Sequence, residues 1–329
     1  MKKRIHIEAN VMSALLCLCV ITIHLTATPI AQLTPGTLWH TLIFIINKVL
    51  VFSVPGFLFL SGLKLHSQYG DREFDVLQFY SKRLRSIVVP YTITVLLYFV
   101  YYYAKHWTAI SKLPEHLLLG TLASHFYYIT IAVQMYLLFP LLKKAVSRFP
   151  LLMAAVSFIS TLTFYAYVHF QYSDRFAGTY LFFFVFGMLF QKYNLADFFT
   201  KYRKAVWAAF LIFAATHFTL LYLAFYGSRP YPRANAATVV YDVIAICAIY
   251  TLCLCAVRKW HVVESITRPL SQASFHIYLY HMLPIIILQY DLFPRFPLTP
   301  RYQFLISCIV IYGMNFAYAA IHSRWNKKA

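Results

Sequence analysis

His24 stands in the run Cys17-Leu18-Cys19-Val20-Ile21-Thr22-Ile23-His24-Leu25-Thr26, roughly two-thirds of the way across the first apolar stretch, with only apolar and hydroxyl side chains beside it. A titratable imidazole at that depth is costly unless it has a partner or a task. No His, Cys or carboxylate follows it at three or four residues, which argues against a helical metal pair. General base, nucleophile, or a neutral ring hydrogen-bonded across helices remain open. A second intramembrane imidazole, His281, follows Tyr278 on a helix whose start is expected at Ser271 or Ser274. Lys48 lies near the middle of the second apolar stretch, where an ammonium needs a cavity or a counter-ion, and Asp242 is the acid at the nearest depth. Gln134, flanked by Tyr128 and Tyr136 in the fourth stretch, carries a carboxamide that must be hydrogen-bonded to structure or to substrate. Arg83 and Arg85 stand at the mouth of the third stretch, either as topological anchors or as binders of phosphoryl oxygens.

The elements that must position these groups are membrane helices. The chain has 329 residues, 61% of them hydrophobic and only 12% charged, with a mean hydropathy of +0.63, far from the balance of a soluble domain. The expected fold class is all-α, a polytopic membrane protein of about ten transmembrane helices. Windows long enough to span fall at 11–27, 39–63, 86–104, 122–142, 150–171, 176–191, 205–226, 237–257, 273–293 and 302–322. The basic N-terminal run Lys2-Lys3-Arg4 precedes an apolar stretch but no small-residue cleavage site follows, so an uncleaved first helix is expected.

A net charge of +19 would suit a nucleic-acid binder, but the placement of the basic residues argues for topology instead. With the N-terminus inside, about 21 of the 29 Lys and Arg fall in inner segments, so both termini are expected in the cytoplasm. A basic inner face also attracts anionic lipids and phosphorylated cytoplasmic substrates. The six Cys residues all fall inside the expected spans and act as apolar filler, so neither a disulfide framework nor a metal site is expected. The longest loops, near 64–85 and 105–121, leave no room for a soluble domain, and residues 1–329 are read as one integral-membrane domain. Pro55-Gly56 and Pro140 interrupt spans and free backbone groups that neighbours, water or a ligand must satisfy.

Five segments in order resemble the membrane-bound acyltransferase 3 family. They are the first span ending in His24; Val54-Pro55-Gly56-Phe57-Leu58-Phe59-Leu60-Ser61-Gly62; Tyr80-Ser81-Lys82-Arg83-Leu84-Arg85 with Pro90-Tyr91; His125-Phe126-Tyr127-Tyr128 with Gln134, Tyr136 and Pro140; and Ser274 to Pro284 containing Tyr278 and His281. Within that family the chain is most similar to the exopolysaccharide-modifying branch of the intercellular-adhesin type, with Glu8 before the first span in keeping. One departure stands out: the family pattern sets an Arg eleven residues before the first-helix His, and Ser13 occupies that position here.

The resemblance implies a membrane-bound O-acyltransferase of the bacterial plasma membrane. Acyl-coenzyme A in the cytoplasm would be the donor, and a hydroxyl of an extracytoplasmic envelope glycan the acceptor. His24 and His281 then become the expected catalytic residues. Lys48, Ser61, Arg83, Arg85, Tyr128, Gln134, Tyr136 and Tyr278 become the expected substrate contacts. His24 takes the acceptor's proton, or forms a transient acyl-imidazole. Two other readings stand beside this one: an exopolysaccharide exporter, disfavoured by short loops and the absence of repeats, and a non-catalytic scaffold, favoured only by Ser13.

Overall fold

The computed structural model describes residues 6–70, 72–168, 170–226 and 236–325, so the terminal runs Lys2-Lys3-Arg4 and Lys327-Lys328 lie outside the described residues. Among the described residues every regular element is a helix. In chain order they are α1 (Ile7–Gln32), α2 (Leu38–Val49), α3 (Ser53–Tyr69), α4 (Val76–Arg83) and α5 (Val89–Ala104). Next come α6 (Leu113–Leu119), α7 (Tyr127–Arg148), α8 (Pro150–Ala166), α9 (Ala177–Lys192) and α10 (Leu195–Lys201). The rest are α11 (Arg203–Tyr226), α12 (Ala236–Lys259), α13 (Val262–Tyr280), α14 (Met282–Ile287) and α15 (Pro300–Trp325).

Seven helical stretches among the described residues have the length and hydropathy to cross a bilayer: Ile7–Gln32, Leu38–Tyr69, Val76–Ala104, Tyr127–Arg148, Arg203–Phe225, Ala236–Lys259 and Pro300–Trp325. The other three expected windows fall on shorter or interrupted helices. Window 150–171 is α8, with 17 residues; window 176–191 is α9, with 16; window 273–293 is divided between α13 and α14 at His281. Several helices turn large apolar side chains outward, among them Leu151 at 81% exposure and Ile212 at 64%. A polypeptide with such faces is suited to a lipid solvent rather than water. The chain is a multi-pass membrane protein.

The sequence expectation of long loops at 64–85 and 105–121 needs correction. Most of the first is helical, because α3 runs on to Tyr69 and Asp75 caps α4, accepting from the backbone N–H of Leu77 at 2.8 Å and of Gln78 at 3.1 Å. The second contains α6, which Pro114 opens in its first turn and Gly120 closes in the left-handed conformation at φ +63°. The polar side chains between are tied together. Glu115 accepts from the Tyr172 hydroxyl at 2.7 Å and from Lys112 at 2.9 Å, and the His116 ring bonds Thr108 and Thr121 at 2.8 and 2.7 Å.

By their contacts the described residues form two compact units, one of residues 55–201 and 236–240, the other of residues 6–54, 202–226 and 241–325. In the first unit α9 packs against α7 and α8. It also meets α3, where Gly62 lies against the backbone carbonyl of Phe184 and Gly187 against that of Phe59. No side chain larger than hydrogen fits at either contact, so the Gly of the Ser61-Gly62 pair is a close-packing residue. Gln134 of α7 holds the start of α9: its Nε2 donates to the Arg175 carbonyl at 2.7 Å and its Oε1 accepts from Ala177 N–H at 3.0 Å.

In the second unit α1 packs against α2, α13 and α15. The start of α13 is not at Ser271 or Ser274 as the sequence suggests, but at Val262, because Ser274 serves a mid-helix contact instead of a cap. The interruption near Pro55 falls as a turn at residues 50–52, between α2 and α3, and its freed carbonyls are satisfied within this unit. Val49 O accepts from the Tyr241 hydroxyl and Leu50 O from the Ser53 hydroxyl, both at 2.5 Å.

Candidate active site

The second unit brings His24 and His281 together. Their rings stand 5.2 Å apart between centroids, tilted by 47°, and the Tyr278 ring lies 6.0 Å from that of His281. His281 sits at the junction of α13 and α14, where Pro284, three residues on, has no N–H to return to the Tyr280 carbonyl. His281 Nδ1 lies 3.0 Å from the carbonyl of Ile277 and 2.9 Å from that of Tyr278. Carbonyl oxygens only accept, so Nδ1 carries the proton, and in the neutral ring Nε2 holds the lone pair. His281 is 1% exposed, whereas His24 is only partly buried. The arrangement is a tautomer-fixed imidazole beside a more accessible one.

The α1 segment around His24 is braced from two sides. Thr22 shares a 2.6 Å hydrogen bond with the Tyr312 hydroxyl of α15, and Asn47 of α2 donates to Ile23 O at 3.0 Å and to Thr26 Oγ1 at 2.8 Å. Sequence reasoning passed over both Asn47 and Tyr312. Asn47 had a signal to offer, as a buried carboxamide inside an apolar run; Tyr312 had none. Ser13, where the family pattern has Arg, lies 3.3 Å from Ser274 Oγ and is 6% exposed, so its position is taken up by contact between α1 and α13.

Lys48 rests over the Phe44 ring, its ammonium 5.5 Å from the centroid. Among the described residues no ion pair joins Lys48 to Asp242, contrary to the expectation from depth. Instead Lys48 is within electrostatic reach of His217, and the Asp242 Oδ1 is buried without a hydrogen-bond partner among the described residues. His217 is 3% exposed and stacks on Tyr241 at 4.5 Å, and neither of its ring nitrogens has a hydrogen-bond partner among the described residues.

The first unit gathers the remaining candidates. Tyr128 is 8% exposed, hydrogen-bonds Ser61 and lies 6.0 Å from the Phe57 ring, which joins the α3 signature to α7. The Gln134 carboxamide is occupied as described, with a further bond from Nε2 to Thr130 O at 3.2 Å. Arg83 and Arg85 do not act as a pair. Two residues apart on a helix, they diverge by about 200°. Arg85 lines a cavity of about 690 Å³ with Lys82, Gln68, Gln78, Phe74 and Ser86. Arg83 lines a separate groove of about 300 Å³ with Tyr136, and its guanidinium lies 5.2 Å from the Phe79 ring and 5.4 Å from that of Tyr136. Just after Arg83 the helix widens into a π turn at Leu84–Val88, where the Val89 N–H reaches back to Leu84 O; Pro90 cannot supply the ordinary bond to Ser86.

Paired imidazoles inside one helical bundle are costly in a membrane protein, which makes the His24–His281 pair the candidate site among the described residues. A family model described as an acyltransferase domain matches residues 7–319, nearly the whole chain. The chain belongs to this acyltransferase 3 family and is an acyltransferase. No match is found among curated proteins, and none among solved structures.

Proposed function

We propose that the protein transfers an acyl group, acetyl or of similar size, from cytoplasmic acyl-coenzyme A to a hydroxyl of an extracytoplasmic envelope polysaccharide. In this reading it crosses the bacterial plasma membrane ten times with both termini inside, as the inner bias of Lys and Arg favours. The exopolysaccharide-modifying branch of the family is the one its motifs favour. The observation that carries the proposal is the His24–His281 pair at 5.2 Å.

The donor's phosphates suit the cavity of Lys82 and Arg85, since ammonium and guanidinium groups complement phosphoryl oxygens and Phe74 offers an aromatic face. Asp75 also lines that cavity, but its Oδ1 is engaged with two backbone N–H groups. Tyr128 and Ser61 are hydroxyl contacts for substrate, and Tyr278 flanks His281. His24 accepts the proton of the acceptor hydroxyl as that oxygen bonds to the thioester carbonyl carbon. The carbon–sulfur bond then breaks, and the departing thiolate takes the proton from the imidazolium. His281, its Nδ1 held by two carbonyls, positions His24 and presents its other nitrogen to the site. In the competing version His24 itself is acylated first.

The test compares acyl content of the envelope polysaccharide in a deletion strain complemented with wild type or with His24→Ala, with membrane levels of each protein measured. Loss of acyl groups with normal protein levels is expected. Wild-type acylation by His24→Ala would overturn the proposal.

A further inference from the structure

The groove beside Arg83 is built differently from the cavity that holds Arg85. Its wall is apolar, made by Leu84, Ile87 and Val88 of the π turn and by Val133 and Leu137 of α7. Leu84 is 54% exposed and Leu137 55%, so the groove opens sideways onto the surface that faces lipid tails. The Tyr80 hydroxyl closes one side by donating to Leu137 O at 2.9 Å. At its head stands one cation: Arg83, whose Nε is buried and has no hydrogen-bond partner among the described residues. The Phe79 and Tyr136 rings both lie within cation–π distance of the guanidinium and take none of its N–H donors. A buried guanidinium donor lacking an acceptor is expensive, and stays so until an anion supplies one.

An apolar trough with a single fixed guanidinium at one end is complementary to an amphiphile with an anionic head. Its volume of about 300 Å³ is at the small end of the range for ligand sites, enough for part of one chain. In the topology proposed above, the inner mouth of the third span falls at the depth of the cytoplasmic headgroups, where basic pockets between helices recruit anionic lipids.

We propose that this groove is a binding site for an anionic phospholipid, with Arg83 on the phosphate and an acyl chain lying against Leu84, Ile87, Val133 and Leu137. Arg83 is thereby assigned to the bilayer and Arg85 to the soluble donor. The site requires no step of the acyl-transfer reaction.

Native mass spectrometry of the purified full chain, exchanged into equal mixtures of phosphatidylglycerol and phosphatidylcholine, tests the assignment. Wild type is expected to retain phosphatidylglycerol about fivefold over phosphatidylcholine. Arg83→Met should lose the preference, Arg83→Lys should keep part of it, and Arg85→Met should keep all of it. Val133→Phe, which fills the trough and leaves the charge, should lower retention of the lipid itself. Equal retention of the two lipids by wild type, or an unchanged preference in Arg83→Met, would overturn the proposal. So would displacement of the lipid by inorganic phosphate alone, which would mark the site as one for a free anion. Displacement by palmitoyl-coenzyme A but not by coenzyme A would likewise overturn it, assigning the groove to the donor's chain.

Discussion

The imidazoles of His24 and His281 stand 5.2 Å apart, and the Nδ1 of His281 is spoken for by two carbonyls of its own helix. One ring is thereby fixed in tautomer and direction, and the other is left the more accessible. His281→Phe keeps the ring volume and removes both nitrogens. Acyl transfer is expected to fall about 10²–10³-fold with protein levels unchanged. The double variant with His24→Ala should be no slower than His24→Ala alone, since the two act as a unit. Turnover of a thioester substrate by purified protein is the measurement, and an additive double variant would show that the rings act separately.

Gly62→Ala and Gly187→Ala each push a methyl group into a facing backbone carbonyl. Each is expected to cost about 1–3 kcal/mol of stability. Gly313 on α15 is the internal control, because nothing among the described residues lies within 4 Å of the added carbon there. Gly313→Ala should be neutral or stabilise by up to about 1 kcal/mol. Thermal unfolding in detergent distinguishes the two outcomes, and equal effects at all three sites would contradict the packing described.

His217 keeps two ring nitrogens in the interior without hydrogen bonds among the described residues while its face stacks on Tyr241. His217→Phe retains the stack and removes the desolvated polar atoms. A gain of about 1–3 kcal/mol in stability is expected. A loss of stability in the same unfolding assay would mean that the nitrogens have partners in the bilayer.

The loop that contains α6 should loosen on mild acidification. Burial holds the His116 imidazole below its ordinary value; Glu115 opposes that shift and Lys112 adds to it. The folded loop thus binds fewer protons there than the unfolded chain. Its contribution is complete above the ordinary imidazole value of about 6.5 and is lost as pH falls from there through the folded value. Hydrogen exchange across residues 108–121 should speed up over that range in wild type and stay flat in His116→Gln. Glu115 has the opposite ionisation and a lower window: its bonds to Tyr172 and Lys112 hold its carboxyl below the usual range, so its contribution disappears only in stronger acid.

Hydropathy made the all-helical membrane fold legible, and depth alone singled out His24 and His281 before any geometry was known. Their adjacency was not legible, because it depends on packing between α1 and α13, which are about 250 residues apart in the chain. Periodicity should have separated Arg83 from Arg85, which lie on opposite sides of one helix. Depth misled in one case: Lys48 lies over Phe44 and near His217 rather than paired with Asp242, and depth along a helix says nothing about which neighbour a side chain meets. Loop lengths were overestimated at 64–85 because α4 is short and polar, and its start depends on one capping carboxylate.

A second π turn, at Leu288–Leu292, ends two residues before Pro294 just as the first ends two residues before Pro90. A π turn holds one residue more than the α-helix would, and each residue of helix carries about 100° of rotation. Removing any single residue between 84 and 88 would therefore turn Lys82, Arg83 and everything before them by more than a quarter circle relative to α5. The count of residues in that stretch, more than their identity, aims the two arginines at different neighbours, so tolerance for substitution there should far exceed tolerance for deletion.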